Sequence, residues 1–427
     1  MKLSKLLLST VVASMLVTSA YAGPKFEYGK SSLELFGMVQ VWGMSTISDS
    51  NNAYADSSDL YIRRGRLGVK GKYSDQISYK VWFAYDNLGK NGNNILMGTP
   101  HDDTNANKDF YIWDAYFTYK FDKELANVTM GYLRPQVGKE SITSGFTINS
   151  YEKGLSNFYV RKHIVGRGPG REVGVNIGGL TLDKKLNYNF GIFNPNHNAV
   201  TGAAMVAGAG TNRTSASNES SWMAAGRVAY TFGDAEMKKY KLGYTTNYFG
   251  KRNGTTIGLN YTYQGQTDKF DSNSMASVDI LSNYGNFNLS YEWDALKRDK
   301  PIADPAINPL GKDTKDIIQT LRVGYNIDMG DGQFIEPALL WSKADLDDGS
   351  HFKNAKGYGN GTAGSQTVSS IGLNWYRNKM KEKYSIHYVN FDKTEMTDGY
   401  WDGTQLIGGQ TDQGKNKVIT ITAQYIF

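Results

Sequence analysis

Short stretches in which apolar and polar side chains alternate recur along this chain, and this period of two constrains the fold more than any other feature. In the segment 257–263, two aliphatic and two tyrosine side chains share one face of an extended strand, and polar or small residues occupy the other. The segments 77–86 and 287–294 repeat the pattern. Aromatic residues dominate the apolar face, as in the interfacial girdles of a membrane barrel, whereas a soluble sandwich favours Val, Leu and Ile.

Composition agrees with a barrel in a membrane. The mean hydropathy of −0.48 does not argue against one, because a spanning strand needs only about 9–11 residues and every second residue faces lipid. The chain contains 29 Tyr, 8 Trp and 47 Gly but only 9 Pro. We therefore predict an all-β fold, a transmembrane antiparallel β-barrel.

The first 22 residues have the features of a cleaved signal peptide. Lys2 and Lys5 precede an apolar run, and Ala20-Tyr21-Ala22 has the small-x-small pattern of a cleavage site. We expect an exported chain with a single barrel domain, residues 23–427, in the cell outer membrane.

Without the two leader lysines, 45 of the 47 basic residues remain against 41 acidic ones, a net charge too small to indicate a nucleic-acid partner. The absence of Cys excludes disulfides.

The alternation and the loop lengths together predict about 16 strands, with short periplasmic turns and long extracellular loops. An even number leaves both termini in the periplasm, and sixteen strands enclose an aqueous lumen. We leave the strand-like segment 239–249 in a periplasmic connection, because counting it would place later long loops on the wrong side of the membrane. The predicted strands are 33–47, 59–73, 77–87, 109–121, 127–134, 171–179, 186–194, 221–232, 255–264, 275–283, 286–295, 315–328, 333–343, 366–377, 383–393 and 416–427.

The second predicted strand carries five basic residues and no acidic one between 60 and 73. Alternation directs Arg64, Arg66, Lys70 and Lys72 into the lumen and leaves Arg63 near the outer rim, where it would reach lipid headgroups. Because residues two apart on a strand are about 7 Å apart, the four inward cations form a ladder along which an anion could pass between neighbouring sites. The alternative is a structural role in ion pairs with acids of neighbouring strands.

Other predicted strands add charges of both signs to the interior. The further cations that we place inside are Lys80, Lys120, Arg227 and Arg322. The predicted inward acids are Glu34, Asp86, Asp114, Glu172, Glu292, Asp294 and Glu336. Eight cations against seven anions also suit a general porin with a transverse field, so anion preference would depend on how the cations cluster.

The longest insertion, residues 135–169, is predicted to fold into the lumen as a constriction loop, since loops of this length are usually functional or disordered. The alternative is a loop over the outer mouth whose basic residues contact lipopolysaccharide phosphates. The charged and polar residues assigned to the constriction are Lys139, Glu140, Ser144, Glu152, Lys153, Arg161, Lys162, Arg167 and the following Arg171.

Five segments between residues 60 and 180 resemble the phosphate-selective porin O/P family of Gram-negative outer membranes. They read RRGRLGVKGKY, DAYFTYKF, VTMGYLRPQVGKESITS, INSYEKGLSN and GPGREVGVNIGG. The resemblance implies a sixteen-stranded homotrimer whose inward loop and basic ladder favour anions. Carried over by position, Arg64 and Arg66 would belong to the ladder, and Glu140, Ser144, Glu152 and Arg171 to the loop and its anchoring.

We therefore predict a porin for passive diffusion of small hydrophilic solutes, favouring anions such as phosphate, with outer-membrane lipid and lipopolysaccharide as its surroundings. The alternatives are a non-selective porin, a porin specific for sugars or carboxylates, and a surface adhesin or scaffold on a plugged barrel. Five scattered His and no Gly-x-Ser-x-Gly motif argue against an enzyme, and we expect no cofactor or metal site. Calcium binding by the acidic segments 101–109 and 345–350 stays open, although neither has a complete ligand set.

Overall fold

The computed structural model contains a single sheet of sixteen antiparallel membrane-spanning strands that closes on itself. The residues that the structure describes are 23–49, 57–91, 96, 110–122, 124–165, 170–195, 221–267, 270–299, 313–347, 364–393, 400–401, 406–407 and 414–427. The signal-peptide prediction for 1–22 lies outside them. The predicted fold class is confirmed.

The sixteen barrel strands follow one another along the chain, each paired with its predecessor and its successor. In order they are β1 Ser31–Asp49, β2 Ser58–Lys72, β3 Ile77–Leu88, β4 Tyr111–Asp122, β5 Ala126–Leu133, β6 Glu172–Thr181, β7 Leu186–Phe193, β8 Met223–Gly233, β9 Gly254–Gln264, β10 Ser272–Tyr284, β11 Phe287–Asp299, β12 Thr314–Tyr325 with its continuation Ile327–Gly330, β13 Gln333–Leu346, β14 Gly364–Asn378, β15 Glu382–Lys393 and β16 Gly414–Ile426.

Closure occurs between β1 and β16, where Met38 pairs with Ile426 and the register continues to Asp49 and Asn416. Closure matters because an open sheet edge would leave backbone groups unpaired in lipid, at a cost of several kcal/mol for each group. A short strand, Lys25–Tyr28, also pairs with the start of β1 and was not predicted. Outside the barrel, Tyr400–Trp401 pairs with Leu406–Ile407.

The outward face of the barrel is apolar, as the alternation predicts. Leu259, Tyr261 and Tyr263 are exposed on β9, whereas the polar residues between them are buried against the interior. Buried residues also alternate with more exposed ones along β8, β10 and β12, and many of the exposed side chains of the barrel are aromatic. Acyl chains would cover this face.

Two β-bulges modify the alternation near the middle of the barrel. The register between β1 and β2 shifts after the Gln40–Arg64 pair, so that Arg63 is left without a partner and points inward beside Arg64. The predicted position of Arg63 at the outer rim is therefore wrong, because an extra residue resets the alternation. A second shift, between β3 and β4, leaves Trp113 extra in the same way, next to Asp114.

Two helices lie between β5 and β6, and they are α1 Lys139–Ile142 and α2 Leu155–Val165. The inward residues at the extracellular ends of the strands are apolar and form one buried cluster with α2, in which Ile164, Met275 and Ile318 take part. Full burial of such side chains contributes about 1.5–3 kcal/mol each, so the cluster holds α2 firmly inside the barrel. Neither helix is long and apolar enough to cross a membrane.

Eight connections lie on the side of the barrel to which β1 leads, and all of them except the one between β9 and β10 are long. The opposite side has short turns with one exception. Residues 234–253, between β8 and β9, form a long connection on the periplasmic side, which we call the periplasmic insert. It contains no barrel strand, as predicted for 239–249. The connection between β9 and β10 is the short segment 265–271.

Candidate solute pathway

The constriction loop enters the lumen and leans on one side of the barrel wall. Its backbone forms hydrogen bonds with inward side chains of β9, β13 and β14. Gly138 N–H donates to Asn260 (3.0 Å), and Leu155 N–H donates to Ser342 (2.9 Å). Asn374 donates to Asn149 O (2.6 Å). The predicted inward position is confirmed for the described part of the loop. Together with the contacts of α2 with β10–β13, these hydrogen bonds place the loop against the part of the wall formed by β9–β14.

Glu152 anchors the loop on the opposite side, against β2. Its carboxylate accepts from Arg63 Nε (2.9 Å) and forms a second ion pair with Arg64, while Lys153 N–H donates to it at 2.8 Å. Burial would raise the pKa of Glu152, but the Arg64 and Arg63 guanidiniums outweigh that effect and lower it to about 2. Glu152 is therefore an ionised carboxylate at neutral pH, and it holds the loop by charge.

A second carboxylate, Glu140 of α1, anchors the loop to β12. Arg322 donates to it from both terminal nitrogens, at 2.7 Å from Nη2, and donates from Nε to Ser150 at 2.8 Å. Lys153 supports this corner, since its Nζ donates to Glu140 O (2.6 Å) and to Ser141 O (3.1 Å). Burial lowers the pKa of Lys153 well below its usual range.

Four of the cations predicted to line the pore are largely covered from water, and three of them anchor the loop or support the wall. These three, Arg64, Arg227 and Arg322, are 6%, 0% and 1% exposed, and the fourth, Arg66, is 5% exposed. Arg227 forms a bidentate pair with Asp279, at 2.6 and 3.0 Å. Gly258 makes room for this pair, because a Cβ there would lie 2.5 Å from each partner. These three arginines face the interior, but they act as anchors and wall supports.

The cations that remain in contact with water lie on β2, β3 and β4. Lys70 has a side chain 46% exposed, 3.0 Å from Glu34, and the side chain of Lys80 is 25% exposed, 3.4 Å from Asp114. Lys72 is exposed and Lys120 is half-buried. We call this surface the basic wall, defined by Lys70, Lys72, Lys80 and Lys120. Its strands lie across the barrel from β10–β12, which α2 contacts.

A cluster of arginines lies between the basic wall and the loop. Arg66 forms a bidentate pair with Asp86, at 2.5 and 3.1 Å, and Arg171 Nε donates to Asp114 at 3.0 Å. Both guanidiniums contact the ring of Trp113, at 3.4 and 3.9 Å from its centroid. The bulge that turns Trp113 inward therefore positions two cations.

Arg134 and Arg161 belong to the same cluster, and their charges are less compensated. The Nε atoms of both are buried without a hydrogen-bond partner in the described part of the chain. Burial lowers the pKa of Arg134 well below its usual range, and the charges of Arg171, Arg161 and Arg66 lower it further. We call Arg66, Arg134, Arg161 and Arg171 the arginine cluster. Together with Lys80 it has five positive charges beside the two carboxylates of Asp86 and Asp114.

The other predicted loop residues have different positions. Lys139 pairs with Glu236 of the periplasmic insert, and Ser144 is half-buried. The side chain of Lys162 and the whole of Arg167 lie outside the described residues, as do 101–109 and the second half, 348–350, of the acidic segment 345–350. Sequence reasoning missed Arg134, which directly precedes the loop, and Asp279, whose inward parity with Met275 could have revealed it.

Comparisons with known proteins connect these features to a family. A family model described as phosphate-selective porin O and P matches residues 40–294. Among solved structures, an anion-selective porin from Comamonas acidovorans is 14% identical with a TM-score of 0.56, over 93% of this chain and 100% of that one. The outer-membrane channel DcaP of Acinetobacter baumannii is 14% identical with a TM-score of 0.55, over 95% and 100%.

OmpT of Vibrio cholerae in its trimer form is 10% identical with a TM-score of 0.54, over 93% of this chain and 100% of that one. At these identities the structures establish a common fold. No curated protein sequence matches the chain.

Proposed function

Because the chain belongs to the phosphate-selective porin O and P family of outer-membrane channels, we propose that its channel favours small anions over cations. The coarser function, diffusion of small solutes across the outer membrane, follows from the family and the fold. The proposal concerns the sign of the selectivity and the residues that produce it.

The observation that carries the proposal is the uncompensated charge of the arginine cluster. Most cations of the interior have a carboxylate partner, which cancels their field at a distance. Arg134 and Arg161 have buried Nε atoms without a hydrogen-bond partner among the described residues, beside the paired Arg66 and Arg171. Both side chains are partly exposed, so a passing anion would be attracted to their net charge, whereas a cation would be repelled.

The interaction energy between a passing anion and the arginine cluster depends on how much water surrounds the cluster. A unit charge at 4 Å contributes about 1 kcal/mol in bulk water and about 4 kcal/mol at the effective dielectric constant of 20 near a protein surface. The arginine cluster is partly buried, so the larger figure applies more closely there. Along the basic wall, where Lys70 and Lys72 are exposed, the smaller figure applies and physiological salt screens beyond about 8 Å. The arginine cluster would therefore discriminate anions from cations, and the basic wall would mainly provide a path along which anions pass.

The pairing of charges limits the strength of the preference. Lys70 and Lys80 lie beside Glu34 and Asp114, so each contributes part of its charge to the pore. This favours a moderate anion preference over tight binding of one species. Phosphate, sulfate and small carboxylates all suit such a lining, and the family description gives phosphate as the first candidate.

We also propose a homotrimer surrounded by lipid and lipopolysaccharide. Support comes from the trimer form of Vibrio cholerae OmpT, which shares the fold, and from the exposed apolar outer face of the barrel. The signal peptide 1–22 remains a prediction from sequence.

Planar-bilayer recording tests the anion preference. We expect Arg134→Gln with Arg161→Gln to shift the reversal potential in a salt gradient toward the equilibrium potential of the cation. These two charges are the least compensated ones. Lys184→Gln with Lys185→Gln, on the turn between β6 and β7, is the control and should cause no shift. Competition of inorganic phosphate, sulfate and succinate for the chloride current then ranks the anions. An unchanged reversal potential in the arginine variant would exclude the cluster as the selective element.

A further inference from the structure

We propose that the periplasmic insert, residues 234–253, is a second pore-narrowing element, which restricts the exit to the side of the basic wall and adds lysines to it. The narrowing itself is independent of ion selectivity. The effect of its lysines on ion preference rests on the proposed function. A simple periplasmic turn would need about two to five residues.

The insert is joined to the constriction loop from below. Lys139 of the loop pairs with Glu236 of the insert, and Lys139 Nζ also lies 4.2 Å from the centroid of the Tyr244 ring. Thr147 of the loop donates to Tyr244 O at 2.7 Å, and Thr246 N–H donates back to Thr147 O at 3.1 Å. Loop and insert therefore form one partition across the lumen.

Side-chain contacts with distant strands spread the insert over half of the barrel wall. On one side Tyr240 donates to Asn189 of β7 at 2.6 Å. On the other side the Phe249 ring packs on Phe334 of β13 and Tyr376 of β14, with centroids 5.3 and 5.0 Å away. The insert thus contacts the wall from β7 to β14, below most of the strands that the constriction loop contacts.

The ends of the insert are fixed, so that it is a part of the fold. Asn247 and Asn326 exchange side-chain hydrogen bonds at 2.7 and 2.9 Å. Arg252 is 1% exposed and donates to Asn283 and to Thr256, both at 2.7 Å. Phe249 has a φ of +53°, a strained conformation for an aromatic residue, which persists only where packing enforces it.

Three exposed lysines, Lys238, Lys239 and Lys241, lie at the tip of the insert. Between them, Tyr240 N–H donates to Glu124 in the turn after β4, the strand of Lys120. The tip therefore reaches the periplasmic end of the basic wall, and its lysines would extend that wall to the exit.

The first experiment removes the partition. The residues that flank the insert already pair, Gly233 with Gly254, so a Gly-Ser linker of four residues can replace 235–252 without breaking the barrel. We expect a larger single-channel conductance and, in liposome swelling, entry of neutral oligosaccharides that the wild type excludes. Because these solutes carry no charge, the result does not depend on anion preference. An unchanged conductance and size limit would overturn the proposal.

A second variant keeps the partition and changes only its charge. Lys238→Gln, Lys239→Gln and Lys241→Gln together should leave the size limit unchanged and reduce the anion preference, with Lys184→Gln and Lys185→Gln as the matched control. If the reversal potential shifts no more than in the control, the lysines do not contribute to ion preference at the exit. Since the chain has no Cys, Lys241→Cys also allows labelling of the tip with a bulky thiol reagent, which should reduce the current. Full current after complete labelling would contradict the position of the tip.

Discussion

Our most specific prediction concerns the anchoring of the constriction loop to β2, because this anchoring depends on a single carboxylate. Replacing Glu152 by Gln removes a buried charge that pairs with both Arg63 and Arg64. The pKa of Glu152 falls from 4.5 to about 2, and 1.36 kcal/mol per pKa unit converts this into about 3 kcal/mol of anchoring. The 3–5 kcal/mol typical of breaking a buried ion pair agrees. We expect the ratio of anchored to released loop to fall about 100-fold.

Single-channel recording and limited proteolysis measure this change. Glu152→Gln should show frequent current fluctuations and faster cleavage within the loop, while the barrel keeps its heat-modifiable migration on gels. Glu34→Gln is the matched control: it also removes an inward acid from an ion pair, but that pair is exposed and is worth about 0–1 kcal/mol. If the two variants behaved alike, the reasoning from burial and charge would be refuted.

Three further predictions follow from the same contacts. The anchoring by Glu152 is fully present above about pH 4.5 and is lost as the pH falls through about 2, so current fluctuations should stay constant from pH 7 to 5 and increase only below that range. Gly258→Ala places a Cβ 2.5 Å from the buried arginine–aspartate pair of β8 and β10 and should lower the thermal stability strongly, whereas Gly265→Ala, with 3.8 Å of clearance, should not. Ile164→Ala removes a fully buried side chain of α2 and should cost about 2–5 kcal/mol, visible as faster proteolysis of the loop.

Periodicity was sufficient to predict the barrel. Strand number, the order of short and long connections and the inward entry of the loop all follow from side-chain alternation and segment length, because each strand has one wet face and one lipid face. The exclusion of 239–249 from the strand count followed from the sidedness of the loops.

Details of the pathway depended on features that alternation does not encode. One extra residue in β2 turns Arg63 inward, and one in β4 does the same for Trp113, and neither bulge has a mark in the sequence. The inward face was also assumed to be polar throughout, whereas its extracellular end is apolar because α2 packs there. Which cations are buried as anchors and which remain in water depends on where the loop rests, and that is a tertiary property.

The reversal potential of the purified wild-type channel in a tenfold potassium chloride gradient tests the central claim most directly. We expect a steady current whose reversal potential has the sign of the chloride equilibrium potential, because the proposed selective element is the arginine cluster. A reversal potential with the sign of potassium, or the absence of any steady current, would contradict it.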